Sequence, residues 1–354
     1  MLSNAKKGIC GVEMITKDFK ENQNFVAIRT LTPEEVTKHC EPNIFFDLAL
    51  WLITLNAKRS NLRKAKKILA KQYENGKNLT LKKVLWNMGR DSEHFSHIFA
   101  DRYSKLNHDV KVYAASWRAL EIFYNFHNKY KPNLKSTFGD ILTYYWIGVM
   151  RNGQAVTNRK DIVVNMLLTH ISQCEDEVPR IVSLASGSAQ AVVEAVQQCG
   201  RLVQVKLLDS DVTAIEASKK MVEQARLSDQ FEFIKTRIDP RVIRRHCKQF
   251  EPHIVEMVGL MDYFNDEWAI RIIAEIKTHI SSKGMFITCN INNAYSIEKE
   301  ALDWVSLWPM LYRTPKEFSY ILVEGWFNQC KFKPNKIKIT YDSFNIHGVA
   351  QCFV

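Results

Sequence analysis

Beyond Pro179 the chain alternates short apolar runs with longer stretches of helical period, the pattern of βαβ units and a parallel sheet. The runs predict strands over 181–185, 202–208, 231–235, 254–258 and 284–289. A helix near 315–330 follows, then two closing strands over 336–340 and 349–353 separated by a polar turn. Ahead of Pro179 the pattern is helical. Thr32-Pro33-Glu34-Glu35 carries an N-cap hydroxyl, a Pro at the first helical position and a Glu three residues past the cap. Residues 44–56 predict a second helix, and Ser60 is placed to cap a third that Gly76 would end. Segments 79–88, 93–103 and 114–130 continue with aromatics at core-like helical spacing, 138–150 is rich in them, and 161–170 predicts the helix that precedes the first strand. Residues 1–30 predict a loose tail and a short ordered piece. Two regions are expected: a helical one over 1–150 and an α/β one over 151–354.

Composition narrows the class of protein. With 46% hydrophobic and 25% charged residues, the 354-residue chain has the balance of a soluble globular protein. Its eight cysteines are scattered without CxxC or Cys/His ligand spacing, so neither a zinc site nor a disulfide framework is expected. No charged-then-apolar leader opens the sequence, and the most apolar run, 44–55, contains Asp47 and is too short for a bilayer. A cytoplasmic protein without a membrane span is therefore expected. His94 and His97 lie three apart, but no carboxylate or third ligand in the local sequence makes them a metal site. The net charge of +11 is concentrated in 58–71, which holds seven basic residues and no acid. Leu62, Ile68 and Leu69 would form the inner face of that helix, leaving a solvated basic side or one that attracts phosphate or carboxylate.

The candidate chemistry centres on 180–211. A predicted strand is followed by the small-residue turn Ala185-Ser186-Gly187-Ser188-Ala189, a helix, and a second strand ending on Asp209. Gly187 and Asp209 are 22 positions apart, the spacing of a nucleotide-binding crevice: small residues let backbone approach the ligand, and the acid accepts from ribose hydroxyls.

Five alternating strands closed by a hairpin resemble the class I S-adenosylmethionine-dependent methyltransferases, over about residues 150–354. In that resemblance Ser183 to Ala189 stand for the acid-x-Gly-x-Gly-x-Gly motif and Leu207-Leu208-Asp209-Ser210-Asp211 for the second motif. The resemblance implies S-adenosylmethionine as cofactor, with the Gly187 turn beneath it and Asp209 on the ribose. Two positions depart: Ser183 replaces the motif's acid, and Thr236 and Arg237 stand where an adenine-side acid is common. Val258-Gly259-Leu260-Met261-Asp262-Tyr263-Phe264 is similar to the Gly-Leu-x-Asp-Tyr-Leu segment of one bacterial subgroup. Asp303-Trp304, Tyr312-Arg313-Thr314 and Asn158-Arg159 match further elements of it. Some members are associated with methyl esterification of 3-hydroxy fatty acids.

Methyl transfer asks mainly for alignment and exclusion of water. At the end of the fourth strand Asp262 is a candidate proton acceptor or orienting group, and equally a helix cap. Tyr263 is a candidate channel wall or core residue. Arg313 offers a bidentate fork to an acidic substrate, or an ion pair with Glu317. These features suit a small acidic or amphipathic acceptor under a helical cap, with nucleic acid not favoured as a partner. An RNA or protein methyltransferase docking through the basic helix, and a scaffold that has lost turnover, are the other readings.

Overall fold

In the computed structural model the described residues are 26–76, 79–293, 296–327 and 336–354. One eight-stranded sheet forms, in the order β1-β7-β8-β6-β5-β2-β3-β4. Its strands are β1 (Val26–Thr30), β2 (Arg180–Leu184), β3 (Gln204–Asp209), β4 (Phe231–Lys235), β5 (Ile254–Met257), β6 (Met285–Ile291), β7 (Ile337–Tyr341) and β8 (His347–Phe353). The seven expected strands are present, and β8 runs antiparallel to β6 and β7. The eighth, β1, pairs parallel with β7 and covers an edge the sequence pattern left open. Its alternation is weak because four of its five residues are exposed.

Helices cover both faces, as a parallel sheet requires. One face is packed by α9 (Pro240–Cys247), α10 (Asp266–His279) and α12 (Pro315–Phe327), with Ile272, Ile273, Phe318 and Trp326 at its centre. The other is packed by α6 (Arg151–Gln173), α7 (Gln190–Cys199) and α8 (Val212–Gln224). Ahead of α6 lie α1 (Ile44–Glu74), α2 (Leu81–Arg90), α3 (Lys105–Val112), α4 (Trp117–Tyr124) and α5 (Phe138–Thr143). Between β6 and α12, α11 (Ser296–Trp304) returns to pack on α1.

Several helical expectations are corrected. The signal at Thr32–Glu35 makes a single 3-10 turn, Pro33–Glu35, and Val36 is already extended. The helices expected on either side of Ser60 are one continuous helix, α1, of 31 residues. Ser60 caps nothing because the seam Thr54, Ala57, Asn61 and Ala65 runs unbroken beneath it, and Asn61 Nδ2 donates to the Trp304 carbonyl at 2.7 Å. The inner face consists of these small residues; Leu62, Ile68 and Leu69 are only half-buried. Gly76 does end the helix, at φ +71°. Segment 93–103 keeps one 3-10 turn, Phe95–Ile98. Helix α6 begins ten residues earlier than expected and spans two cores: Ala155 and Val156 lie in the helical region's core, Ile162 to Ile171 in the sheet's. The β7–β8 turn is less polar than its composition suggests, since Phe344 and Ile346 are buried in the helical core.

Candidate functional site

Above the carboxyl ends of β2, β3 and β5 lies a cavity of about 390 Å³, within the usual range for small-molecule sites. The turn from β2 into α7 forms its floor. Ala185, Gly187 and Ala189 have φ of +54°, +57° and +59°, so left-handed residues alternate with Ser186 and Ser188. The two alanines therefore occupy a conformation that suits glycine and carry local strain, of order 1–2 kcal/mol each. At Gly187 a Cβ would stand 3.3 Å from Trp117 Cβ, so a side chain there would crowd the roof of the cavity.

Asp209 ends β3 and binds this turn. Its Oδ2 accepts from the Gly187 N–H at 2.9 Å, and its Oδ1 from the Asp211 N–H at 2.8 Å. Two backbone donors fix the carboxylate in the cavity wall while leaving it further acceptor capacity. Ser210 and Asp211 line the cavity, and Asp211 also caps α8 through the Thr213 N–H. The roof belongs to α4. Trp117 Nε1 donates to Thr213 Oγ1 at 3.0 Å, and Ser188 Oγ to Glu121 Oε1 at 2.7 Å, fastening the helical region to the turn. Val258, Gly259, Leu260 and Tyr263 close the side below β5.

Ser183, expected at the site, is fully buried and does not reach the cavity. Its hydroxyl donates to Oε2 of Glu256, its register partner on β5. Glu256 lines the cavity, and its Oε1 accepts from the Val258 N–H at 2.9 Å. Burial raises its pKa to about 7, against the lowering pull of these hydrogen bonds and of Arg159. A carboxylate thus stands one strand across from the acid that the motif lacks. Sequence reasoning missed Glu256, although an acid inside the apolar run Ile254-Val255-Glu256-Met257 is itself a signal.

The structure does not bring the other expected residues to this wall. Thr236 and Arg237 follow β4 outside it; the Thr236 N–H donates to the Asp209 carbonyl and Arg237 is exposed. Arg313 is buried with its fork occupied: it binds Asp266 Oδ1 at 2.9 and 3.0 Å, the Met261 and Phe264 carbonyls, and Asn290 Oδ1 at 3.0 Å. Glu317 does not take that fork, and instead accepts from Thr314 at the start of α12. Asp262 is not a cap, because Asn265 caps α10. Its Oδ1 accepts from Asn290 Nδ2 and from the Ile291 N–H, and burial raises its pKa. Arg313 therefore holds Asn290, which holds Asp262.

Asp262 faces a second, smaller chamber of about 50 Å³ that shares Ala115, Leu120, Gly259 and Tyr263 with the main cavity. The Tyr263 hydroxyl accepts from Trp308 Nε1 at 2.7 Å, and burial raises its pKa. Arg159 and His347 complete the polar lining with Asn152. Elsewhere His97, Asp101 and His108 converge closely enough to ligate an ion. The Lys111 ammonium already lies 3.6 Å from Asp101, and His97 Nε2 is engaged by the Asp91 carbonyl. We read that group as a structural network. His253 also serves structure, accepting from the Arg180 N–H at 3.0 Å.

The fold and this crevice define a methyltransferase-like α/β architecture with a helical N-terminal region. No protein-family model matches the chain, and no curated protein matches it in sequence. Among solved structures it is similar to a protein from Bordetella parapertussis described as a possible exported protein, with TM-score 0.55, 11% identity, and coverage of 77% of this chain and 95% of that one. A citrinin polyketide synthase CMeT domain superposes with TM-score 0.49 at 10% identity, covering 88% and 89%. The magnesium protoporphyrin IX methyltransferase of Synechocystis PCC 6803 superposes with TM-score 0.43 at 13% identity, covering 66% and 98%. At these identities the similarity concerns the fold alone. Among the described residues no helix is long and apolar enough to cross a membrane.

Proposed function

We propose that the chain is an S-adenosylmethionine-dependent methyltransferase acting on a small acidic or amphipathic acceptor, with the described helical residues ahead of α6, β1 apart, as a cap on the substrate side of a 151–354 catalytic domain. The observation that carries this reading is the pairing of the Gly187 turn and Asp209 with a second carboxylate, Glu256, in one cavity. The donor set fits the cofactor: Asp209 for ribose hydroxyls, Glu256 for the methionine ammonium, and the turn for close backbone approach. When bound, S-adenosylmethionine supplies an electrophilic methyl on a sulfonium. The chain's own work is positional. Trp117 and Leu120 cover the cavity and exclude water, and Tyr263 stands where it meets the second chamber.

An acidic acceptor is ionised at neutral pH and needs no base. That suits a site in which Asp262 Oδ1 is engaged and the Tyr263 phenol is held neutral by burial. The Gly-Leu-x-Asp-Tyr resemblance points the same way, toward the bacterial subgroup with ester-forming members. Cytoplasmic location remains part of this proposal.

Calorimetric titration of S-adenosylmethionine and S-adenosylhomocysteine, with Asp209→Ala alongside, tests the reading. The unaltered protein is expected to bind both, and the variant to lose about 1–3 kcal/mol of binding. Absence of binding by well-folded protein would sink it and favour a non-catalytic scaffold. The exposed basic side of α1, including Arg63, Lys66 and Lys67, motivates an RNA-directed alternative. A steep salt-dependent affinity for RNA would support that one.

A further inference from the structure

The chamber beside Tyr263 contains a cation with no counter-ion in contact. Arg159 lies on α6 where the helix passes from one core to the other, and it is 3% exposed. Its Nε has no partner. One terminal nitrogen reaches only the Cys289 sulfur at 3.8 Å, and the other only the Tyr124 hydroxyl at 3.4 Å. No ion pair among the described residues includes it, whereas buried Arg313 has every nitrogen engaged. A guanidinium stays protonated at any ordinary pH, so this is a buried charge with its hydrogen-bonding fork largely unused, a costly arrangement unless something pairs with it.

His347, at the start of β8, lines the same chamber. It is 2% exposed, and neither of its ring nitrogens has a partner. Burial and the neighbouring Arg159 push its pKa well down, so it is neutral and offers one N–H. The Asn152 side-chain oxygen is also unpartnered, and an amide there can turn to present its NH₂. Three polar side chains at one small void, each with at least one unpartnered polar atom, describe a built site. Leu120, Phe123, Val156 and Met310 make the rest of the wall apolar.

We propose that this chamber binds the carboxylate of a small carboxylic acid, with Arg159 as the ion-pairing residue and His347 as a neutral donor beside it. The inference rests on the methyl-transfer reading and names the acceptor's chemical class. Size agrees: about 50 Å³ holds on the order of three to five waters, enough for a carboxylate head but not for a phosphate ester with its sugar. Apolar walls suit the carbon next to the head. Asp262 is the one acid in the wall. Its Oδ1 is turned to Asn290 and Ile291, and burial raises its pKa against the lowering pull of those hydrogen bonds and of Arg159.

The test uses the full chain and three probes of one carbon skeleton: hexanoate, hexan-1-ol and hexylamine. Each is titrated by calorimetry and followed by thermal melting, with and without S-adenosylhomocysteine. Hexanoate is expected to bind and raise the midpoint, and the alcohol and amine to do neither. At pH 8, where Glu256 is largely ionised, Arg159→Gln is expected to weaken hexanoate about 10–100-fold while S-adenosylhomocysteine affinity stays within a few-fold. Equal binding of all three probes, no binding of hexanoate, or a hexanoate affinity indifferent to Arg159→Gln would overturn the inference. Should that variant not fold, discrimination among the probes by the unaltered protein decides alone. Arg159-dependent hexanoate binding without S-adenosylhomocysteine binding would keep the anion site and remove the cofactor reading. Cofactor binding with no preference for the acid would do the reverse.

Discussion

Glu256 concentrates the conflict between stability and function in one side chain. Its pKa of about 7 lies above that of an unfolded-chain carboxylate, so the native state holds a proton the unfolded state releases. Its contribution to stability is therefore complete below about pH 4.5 and is lost as pH rises through about 7. A bound ammonium requires the ionised form. Cofactor affinity is thus expected to fall below pH 7, approaching tenfold per unit toward pH 5, as binding must expel a proton. Above about pH 8 the ligand's own amine deprotonates and the gain ends. Glu256→Gln should abolish the slope between pH 5 and 7 and weaken binding about 10–100-fold, yet make the empty protein more stable at pH 8. Titrations at several pH values, with urea melts of the ligand-free protein, read both effects. A slope unchanged in the variant would assign the ammonium to another group.

At the scale of elements, α1 shows how a tertiary surface overrides a local signal. A serine ahead of a charged, helix-prone run is a reasonable cap in isolation. Here the buried seam of Ala57, Asn61 and Ala65 lets α11 approach closely and carries the helix straight past Ser60. The two readings give opposite signs for Ser60→Ala. Loss of a cap would cost about 1 kcal/mol. Replacing a partly exposed mid-helix serine should instead be neutral or stabilising by up to about 0.5 kcal/mol, measured by urea denaturation. The β2–α7 turn behaves oppositely. Gly187 suits the left-handed backbone found there, whereas Ala185 and Ala189 adopt it at a local steric cost that the surrounding packing offsets.

For the whole molecule, α6 is the element that makes the helical region and the sheet one body. Its first half lies in the core with Phe123 and Phe126, its second half lies in the sheet's core, and the helix packs on α7 and β8. Trp117 and Glu121 add direct bonds from α4 to α8 and to the turn that floors the cavity. Unfolding is therefore expected to be a single transition in which tryptophan fluorescence and far-ultraviolet circular dichroism coincide. Two separated transitions would show that the cap melts independently and that α6 does not couple the cores.

What the sequence determined by itself is the succession of strands and helices, the turn beneath the main cavity and the acid at the end of β3. Each depends on periodicity or on a spacing within one βαβ unit, where chain connectivity does most of the placing. The tertiary structure decided the rest. Glu256 answers for Ser183 across 73 positions, because parallel pairing of β2 and β5 puts them in register. Arg313 and Arg159 look alike in sequence, but Asp266, 47 positions away from Arg313, occupies its fork while no acid in contact occupies that of Arg159. A guanidinium's role is set by which charges fold around it, and that information resides in long-range packing rather than in the residues beside it.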